Sequence, residues 1–229
     1  VEPFEGLFTQ GMVCHETYKD KNNNWISPDE IEVRNGKKVL KKNQTEEIKI
    51  GPSESMSKSK KNTIDPEKII EMYGADSARL FILSDSPPEK DVQWSDEGIA
   101  SSYKFIQKLW SLNEKVIHEI EQNHEEDEGK DLIKFTNKYL KKMTDALNAF
   151  SYNILIANLH EMQNFFNKEL NKTYTKKTLT ENFSKILVTM IPIIPHLANE
   201  CLKRINYNVI EWPEYDETLL VEDIIPYVI

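Results

Sequence analysis

The sequence predicts an α+β fold, in which short strands and turns come first and an all-α helical bundle follows. Three observations predict it. Polar and apolar residues alternate at 47–50, and an Asn-Gly dipeptide stands at 35–36, so strands and a hairpin precede residue 84. From Ser95 onward, apolar residues recur at helical spacing in several long stripes, and such stripes are stable only when buried against one another. At 229 residues, with 39% hydrophobic and 29% charged content, the chain is long enough to divide into two parts.

The elements follow in order. Asn22-Asn23-Asn24 turns the chain between Tyr18 and Trp25. Val33-Arg34-Asn35-Gly36-Lys37 is a hairpin, because Asn-Gly supplies the positive φ angles of a type I′ turn. Glu47-Ile48-Lys49-Ile50 reads as a strand ended by Gly51-Pro52. After a loop, Asp65 caps a helix with Pro66 at its first position, Ile69, Ile70 and Tyr73 on one face, and Gly74 as its stop. Ser95 caps the next helix, whose inner face carries Ile99, Tyr103, Ile106, Trp110 and Ile117. Beyond an acidic loop from Glu125 to Gly129, a helix presents Leu132, Phe135, Tyr139, Met143, Ala146 and Phe150. Another starts at about Ser151 with Leu155, Leu159, Met162 and Phe166 inward. The last begins near Thr180 and passes a kink at Pro192 and Pro195 to about Ile205. Aromatic residues in these stripes read as core rather than as platforms for stacked bases. An acidic tail runs from Glu211 to Asp223, and the apolar residues Ile224 to Ile229 read as the start of another strand.

One stretch carries chemistry. Ser55-Met56-Ser57-Lys58-Ser59-Lys60-Lys61-Asn62 combines small residues, hydroxyl donors and clustered ammonium groups. Composition alone is that of an ordinary solvated loop. Its place between a strand and a helix N-terminus favours a polyphosphate site, because ligands of open α/β sheets sit beyond strand ends and helix N-termini attract anions.

A net charge of −9 excludes a general nucleic-acid coat but not a local RNA contact. Three basic stretches are candidates: Arg34, Lys37, Lys38, Lys41 and Lys42; Lys134, Lys138, Lys141 and Lys142; and Lys172, Lys176 and Lys177. Each is equally well read as solvated surface. No run approaches the roughly 18 apolar residues that span a membrane. The composition predicts a cytoplasmic location, with an organelle as the alternative. Cys14 and Cys201 lie far apart and suggest neither a disulfide framework nor a zinc site. Cys14 and His15, as strand neighbours, are expected on opposite faces.

The loop and its flanks resemble the class I aminoacyl-tRNA synthetases, whose Lys-Met-Ser-Lys-Ser loop is followed by a similar helix and turn. Here the residues are Met56-Ser57-Lys58-Ser59, Asp65-Pro66 and Tyr73-Gly74-Ala75-Asp76. Phe8-Thr9-Gln10-Gly11-Met12-Val13, Leu80-Phe81 and Ser86-Pro87-Pro88 look most like the bacterial or organellar leucyl-tRNA synthetases. Isoleucyl and valyl enzymes share much of this pattern. Ile193-Ile194-Pro195-His196-Leu197-Ala198 resembles a late segment of the family's anticodon-binding domain, so the similarity spans essentially the whole chain.

The resemblance implies that residues 1–94 are the last part of a Rossmann-like catalytic domain with a β-hairpin insertion. Residues 95–210 would be the helical anticodon-binding-type domain, and 211–229 an acidic tail into a further segment. It implies that Lys58 is catalytic, stabilising the pyrophosphate that leaves ATP, and that Ser57, Lys58, Ser59, Lys60 and Lys61 bind the nucleotide. Ser55 stands where many members have the loop's first lysine, a loss that Lys60 or Lys61 would offset. Met56 is expected as a packing anchor and Asn62 as a hydrogen-bonding residue within the loop. The implied partners are ATP with Mg2+, leucine and leucine tRNA, acting on a monomer with no membrane contact and no zinc. His15, His118, His124, His160 and His196 are dispersed and form no His-x-Gly-His group. The chain is therefore expected to be a C-terminal-half fragment of a larger enzyme, lacking material at both ends and inactive alone.

Overall fold

The first strand, β1 (Val13–Lys19), ends in a turn at Asp20 in the computed structural model, which describes residues 3–4, 6–122, 129–172, 174–209 and 211–220. The Asp20 carboxylate accepts the Asn22 and Asn24 amides at 2.8 Å, and Lys19 bridges Trp25, so the asparagine turn forms as expected. Asn35 and Gly36 take φ angles of 50° and 76° and join β2 (Ile31–Arg34) to β3 (Lys37–Leu40), as a type I′ turn requires. With β4 (Asn43–Glu47) these strands make a separate antiparallel sheet in the order β2-β3-β4.

The strand after Ile48 departs from expectation. Gly51-Pro52 does not end it; β5 runs on through Lys49–Ser55. Proline is tolerated because β5 is the edge of the sheet β5-β1-β6, where no further neighbour needs its missing N–H. Gly51 permits the close pairing, since a Cβ there would lie 2.4 Å from Thr17 Oγ1, which donates to the Pro52 carbonyl at 3.1 Å. Cys14 and His15 occupy adjacent positions of the central strand, and both are buried.

Between β1 and its parallel neighbour β6 (Val92–Gln93) the chain forms α1 (Pro66–Tyr73) and α2 (Ala75–Ser84). Parallel strands need such a crossover. Asp65 caps α1 by accepting the Glu67 amide at 3.0 Å, and Gly74 ends it at φ 82°. Ile69 is buried, but Ile70 is exposed, so only one of the two neighbouring isoleucines faces the core. Ile69, Phe81, Val92 and Ile99 form a small apolar cluster with Trp94 and Tyr73 around it.

The larger core is built from Leu80 of α2 and from α3 (Asp96–Gln122), α4 (Lys130–Asn148), α5 (Tyr152–Glu169), α6 (Lys176–Met190) and α7 (Pro195–Arg204). Ser95 accepts the Gly98 amide at 3.1 Å and so caps α3 as expected. The buried stripe of α3 is Ile99, Phe105, Leu109, Leu112, Val116 and Ile120; Tyr103, Ile106 and Ile117 lie on its flank and Trp110 is exposed. The predicted inner faces of α4 and α5 are buried from Leu132 to Ala146 and from Leu155 to Phe166, except half-buried Phe135. Phe150 lies past the end of α4, exposed, and stacks on Phe8 at 4.9 Å.

The expected kinked helix is two helices. α6 starts at Lys176, four residues early, because Thr175 caps it through the Thr178 amide. It stops at Met190, and Pro195 opens α7 as its first residue. Cys14 and Cys201 are both buried and free, and burial pushes the Cys201 thiol up to about 12. Among the described residues no helix is long and apolar enough to cross a membrane. The acidic residues Glu125 to Glu128 and the segment from Ile224 to Ile229 lie outside the described residues.

Candidate nucleotide-binding loop

The serine- and lysine-rich stretch leaves the end of β5 and reaches α1 through residues 56–65, giving the strand, loop and helix that the sequence predicts. Asn62 holds it. This side chain is fully buried; its Oδ1 accepts the Ser57 amide at 2.8 Å, and its Nδ2 donates to the carbonyls of His15 and Glu54 at 3.2 and 3.1 Å. One amide thus ties the loop's beginning and end to two strands. Backbone groups away from water must find partners, so replacing Asn62 by an apolar residue would take one from the His15 carbonyl in a buried bond and from the Ser57 amide and Glu54 carbonyl in half-buried ones. The Met56 amide adds a bond to the Val13 carbonyl at 3.1 Å, and the Lys61 amide closes the turn on the Lys58 carbonyl at 3.3 Å.

The loop's polar side chains are sorted by this anchoring. Ser57 and Ser59 meet through their hydroxyls at 3.2 Å, and the Ser57 hydroxyl accepts the Lys60 amide at 3.4 Å. Lys60 is half-buried and ion-paired with Glu54. Lys58 and Lys61 are exposed and have no ion pair or hydrogen bond from their ammonium groups among the described residues. Lys61 has φ 55°, a left-handed conformation uncommon away from glycine. Ser55, the last residue of β5, lies opposite Cys14. Among the described residues the arrangement offers two free cations on an Asn62-anchored loop that leads into the capped N-terminus of α1. That combination suits an anion whose charge changes during a reaction.

The hairpin sheet is fastened to β1. Lys38 on β3 donates to Glu16 and to the Tyr18 hydroxyl, the latter at 2.9 Å, and Tyr18 donates to Glu16 at 2.8 Å. The Lys38 hydrogen bond holds the Glu16 carboxyl below its usual range, whereas burial is the main cause raising Tyr18. Burial alone would lower Lys38, but Glu16 and Tyr18 together raise it. Burial likewise lowers His15, whose Nδ1 has no partner among the described residues. Among those residues no three His, Cys, Asp or Glu side chains gather as a metal site.

Sequence reasoning missed the junction behind the loop. Asp76 and Arg79, one turn apart on α2, both reach the break between α6 and α7. The buried Asp76 carboxylate accepts the Leu197 amide at 2.7 Å, the His196 amide at 3.3 Å and a bond from His196 Nδ1 at 2.8 Å. Arg79 donates from Nη2 to the Pro192 carbonyl at 2.7 Å and from Nε to the Ile193 carbonyl at 3.0 Å. The signal was present as Tyr73-Gly74-Ala75-Asp76 and Pro195-His196, but sequence does not say that these segments meet.

The basic stretches are largely neutralised. Arg34 meets Glu32, Lys37 meets Glu47, Lys38 meets Glu16, and Lys41 donates to the Asp29 carbonyl. Lys141 meets Asp145, Lys142 meets Glu161, Lys172 meets Asp131 and Glu169, and Lys177 meets Glu181.

Comparison with known proteins matches this geometry. Residues 48–95 match the family model for class I tRNA synthetases for isoleucine, leucine, methionine and valine, and residues 129–228 match the anticodon-binding domain of tRNA ligases. Leucine–tRNA ligases of Bartonella quintana and Rickettsia felis are each 41% identical to the chain, covering 97% of it and 27% of the relative. That of Hyphomonas neptunium is 37% identical over 97% of the chain and 26% of the relative. The chain thus spans about a quarter of the length of these relatives. In fold it is similar to the Agrobacterium radiobacter K84 agnB2 LeuRS in its ternary complex with tRNA and LeuAMS. That similarity has a TM-score of 0.64 at 19% identity, covering 73% of this chain and 23% of that one. It is also similar to Mycobacterium tuberculosis methionyl-tRNA synthetase in complex with methionyl-adenylate, at TM-score 0.54 and 19% identity, over 64% of this chain and 35% of that one. The lysine loop, the helices behind it and the near-complete match to these relatives together make the chain similar, over 97% of its length, to about a quarter of the length of the leucine–tRNA ligases, with its 48–95 segment matching the class I tRNA synthetase model and its 129–228 segment the anticodon-binding one.

Proposed function

We propose that this chain supplies the ATP-handling loop and a tRNA-binding bundle to a leucine–tRNA ligase. In the proposed reaction a leucine carboxylate oxygen attacks the α-phosphorus of ATP. The bond from that phosphorus to the bridging oxygen breaks, and pyrophosphate leaves with the electron pair. The leucyl group then passes to the terminal adenosine of leucine tRNA. The observation that carries the reading is the Asn62-rooted loop whose Lys58 and Lys61 ammonium groups are unpaired among the described residues. Lys58 is the proposed catalytic residue, neutralising charge on the departing β- and γ-phosphates without covalent chemistry. Ser57 and Ser59 shape the turn. Lys61 takes the place of the lysine that Ser55 replaces, because Lys60 is already committed to Glu54. Mg2+ accompanies ATP in this reading. Residues 1–94 and 95–210 serve as catalytic and RNA-binding parts of a cytoplasmic, monomeric enzyme. Leucine is preferred to isoleucine or valine because the relatives are leucine–tRNA ligases.

The test is leucine-dependent ATP–pyrophosphate exchange by a Bartonella quintana leucine–tRNA ligase in which this chain replaces the matching quarter. Lys58→Ala is expected to lower the exchange rate by about 10²–10³-fold, the cost typical of losing one transition-state donor. Lys61→Ala should cost more than Lys60→Ala. Unchanged exchange in Lys58→Ala would remove the assignment.

A further inference from the structure

A groove of about 560 Å³ runs between α3 and α5 on the bundle, and no residue of the lysine loop lines it. Its walls include Lys104, Lys108 and Lys115 from α3, and Gln163, Asn164 and Asn167 from α5. All three lysines are exposed, and none has an ion pair or hydrogen bond from its ammonium group among the described residues. They contrast with Lys37, Lys38, Lys141, Lys142, Lys172 and Lys177, each held by a carboxylate. The groove is therefore a basic surface that the clustered basic runs of the sequence do not reveal. His160 reports its field: it stacks on Phe105 at 3.8 Å, and after burial the nearby Lys108 charge is what lowers it further.

We propose that this α3–α5 groove grips the phosphate backbone of an RNA helix, with Lys104, Lys108 and Lys115 as the charged contacts and the amides of Asn164 and Asn167 as neutral donors. The proposal rests on the reading of the chain as part of a tRNA ligase and assigns the RNA contact to one face. Lys104 and Lys115 are eleven positions apart on one helix, about 16 Å at 1.5 Å per residue, which is long enough to meet several phosphates. Phosphate oxygens accept both from ammonium groups and from amides. A protein partner would instead be expected to find aromatic or arginine anchors, and the groove offers lysines and amides. A further groove continues the surface through Lys115 and Asn167 to His118 and Asn171. Glu114 and Glu119 also border it, and Glu114 is neutralised by Arg204.

The experiment measures binding of a leucine tRNA to the 229-residue chain by fluorescence anisotropy across a salt series. It compares the wild type with a Lys104→Glu, Lys108→Glu, Lys115→Glu triple variant. The expected result is a loss of tenfold or more in affinity at about 0.1 M salt, with the slope of log affinity against log salt reduced by about two. A control variant, Lys141→Glu with Lys172→Glu, should change affinity less than threefold. Circular dichroism keeps loss of fold apart from loss of contact. Equal affinity and slope for wild type and triple variant would overturn the proposal, as would no binding by the wild type at low salt. Competition by polyglutamate as effective as by tRNA would overturn it in favour of an acidic protein partner. Exchange activity of the chimaeric ligase is read separately. If exchange fails while the triple variant still loses tRNA, the groove stands and the catalytic reading falls; if exchange holds while the triple variant binds normally, the reverse is true.

Discussion

Asn62 shows how one residue converts a flexible composition into a defined loop. Serines and lysines do not order a backbone, yet three hydrogen bonds from a single buried amide fix where residues 57–61 begin and end. Asn62→Ala should therefore cost about 1–3 kcal/mol, because the His15 carbonyl loses a buried partner and the Glu54 carbonyl and Ser57 amide lose half-buried ones. Urea unfolding of the chain checks the stability. In the chimaeric ligase the same substitution should slow exchange although Asn62 offers nothing to ATP. The loop's chemistry was legible from its residue types and flanks. What could not be read was which lysine is free, since the pairing of Lys60 depends on Glu54 lying within reach on β5. Residue type gives charge; only the fold assigns partners. The α3 lysines are a second instance, spaced too far apart in sequence to form a run.

At the scale of elements, the boundaries set by local chemistry were legible and those set by tertiary contact were not. Asp65, Ser95 and the Asn35-Gly36 turn act within a few residues, and each does what its residue type predicts. The break between α6 and α7 is different. A proline leaves carbonyls without amide partners, and a kinked continuous helix is one way to accommodate that. Here the Pro192 and Ile193 carbonyls are taken by Arg79 instead, and Asp76 satisfies the start of α7. A side chain more than a hundred positions away therefore decides that there are two helices. Asp76→Ala should lower stability by about 2 kcal/mol, and Arg79→Ala by about 1 kcal/mol, with the double variant less destabilised than the sum because both changes act on the same turn. A double-mutant cycle in urea measures this. The α3 stripe was misread for a related reason. Its flank from Tyr103 to Trp110 lies along α1 and α7, with Arg204 over the Trp110 ring at 5.0 Å, so apolar residues occur on more than one face.

Across the whole molecule, two apolar clusters share α2. Leu80 enters the large core of the bundle, while its neighbour Phe81 enters the small cluster with Ile69, Val92 and Ile99. The α+β order and the bundle were readable from periodicity, which needs only the chain's own spacing. That a ten-residue helix serves both cores was not, because Leu80-Phe81 has the same apolar character whichever way each side chain faces. The shared helix makes separate melting of the two cores costly. Cys14 lies in the sheet beside the small cluster and Cys201 in the large core, both hidden from solvent. The protein thus carries a natural pair of chemical clocks. Brief exposure to a thiol-alkylating reagent along a denaturant series should mark both cysteines at one midpoint in the wild type. Once Asp76 and Arg79 are both removed, the two midpoints should part.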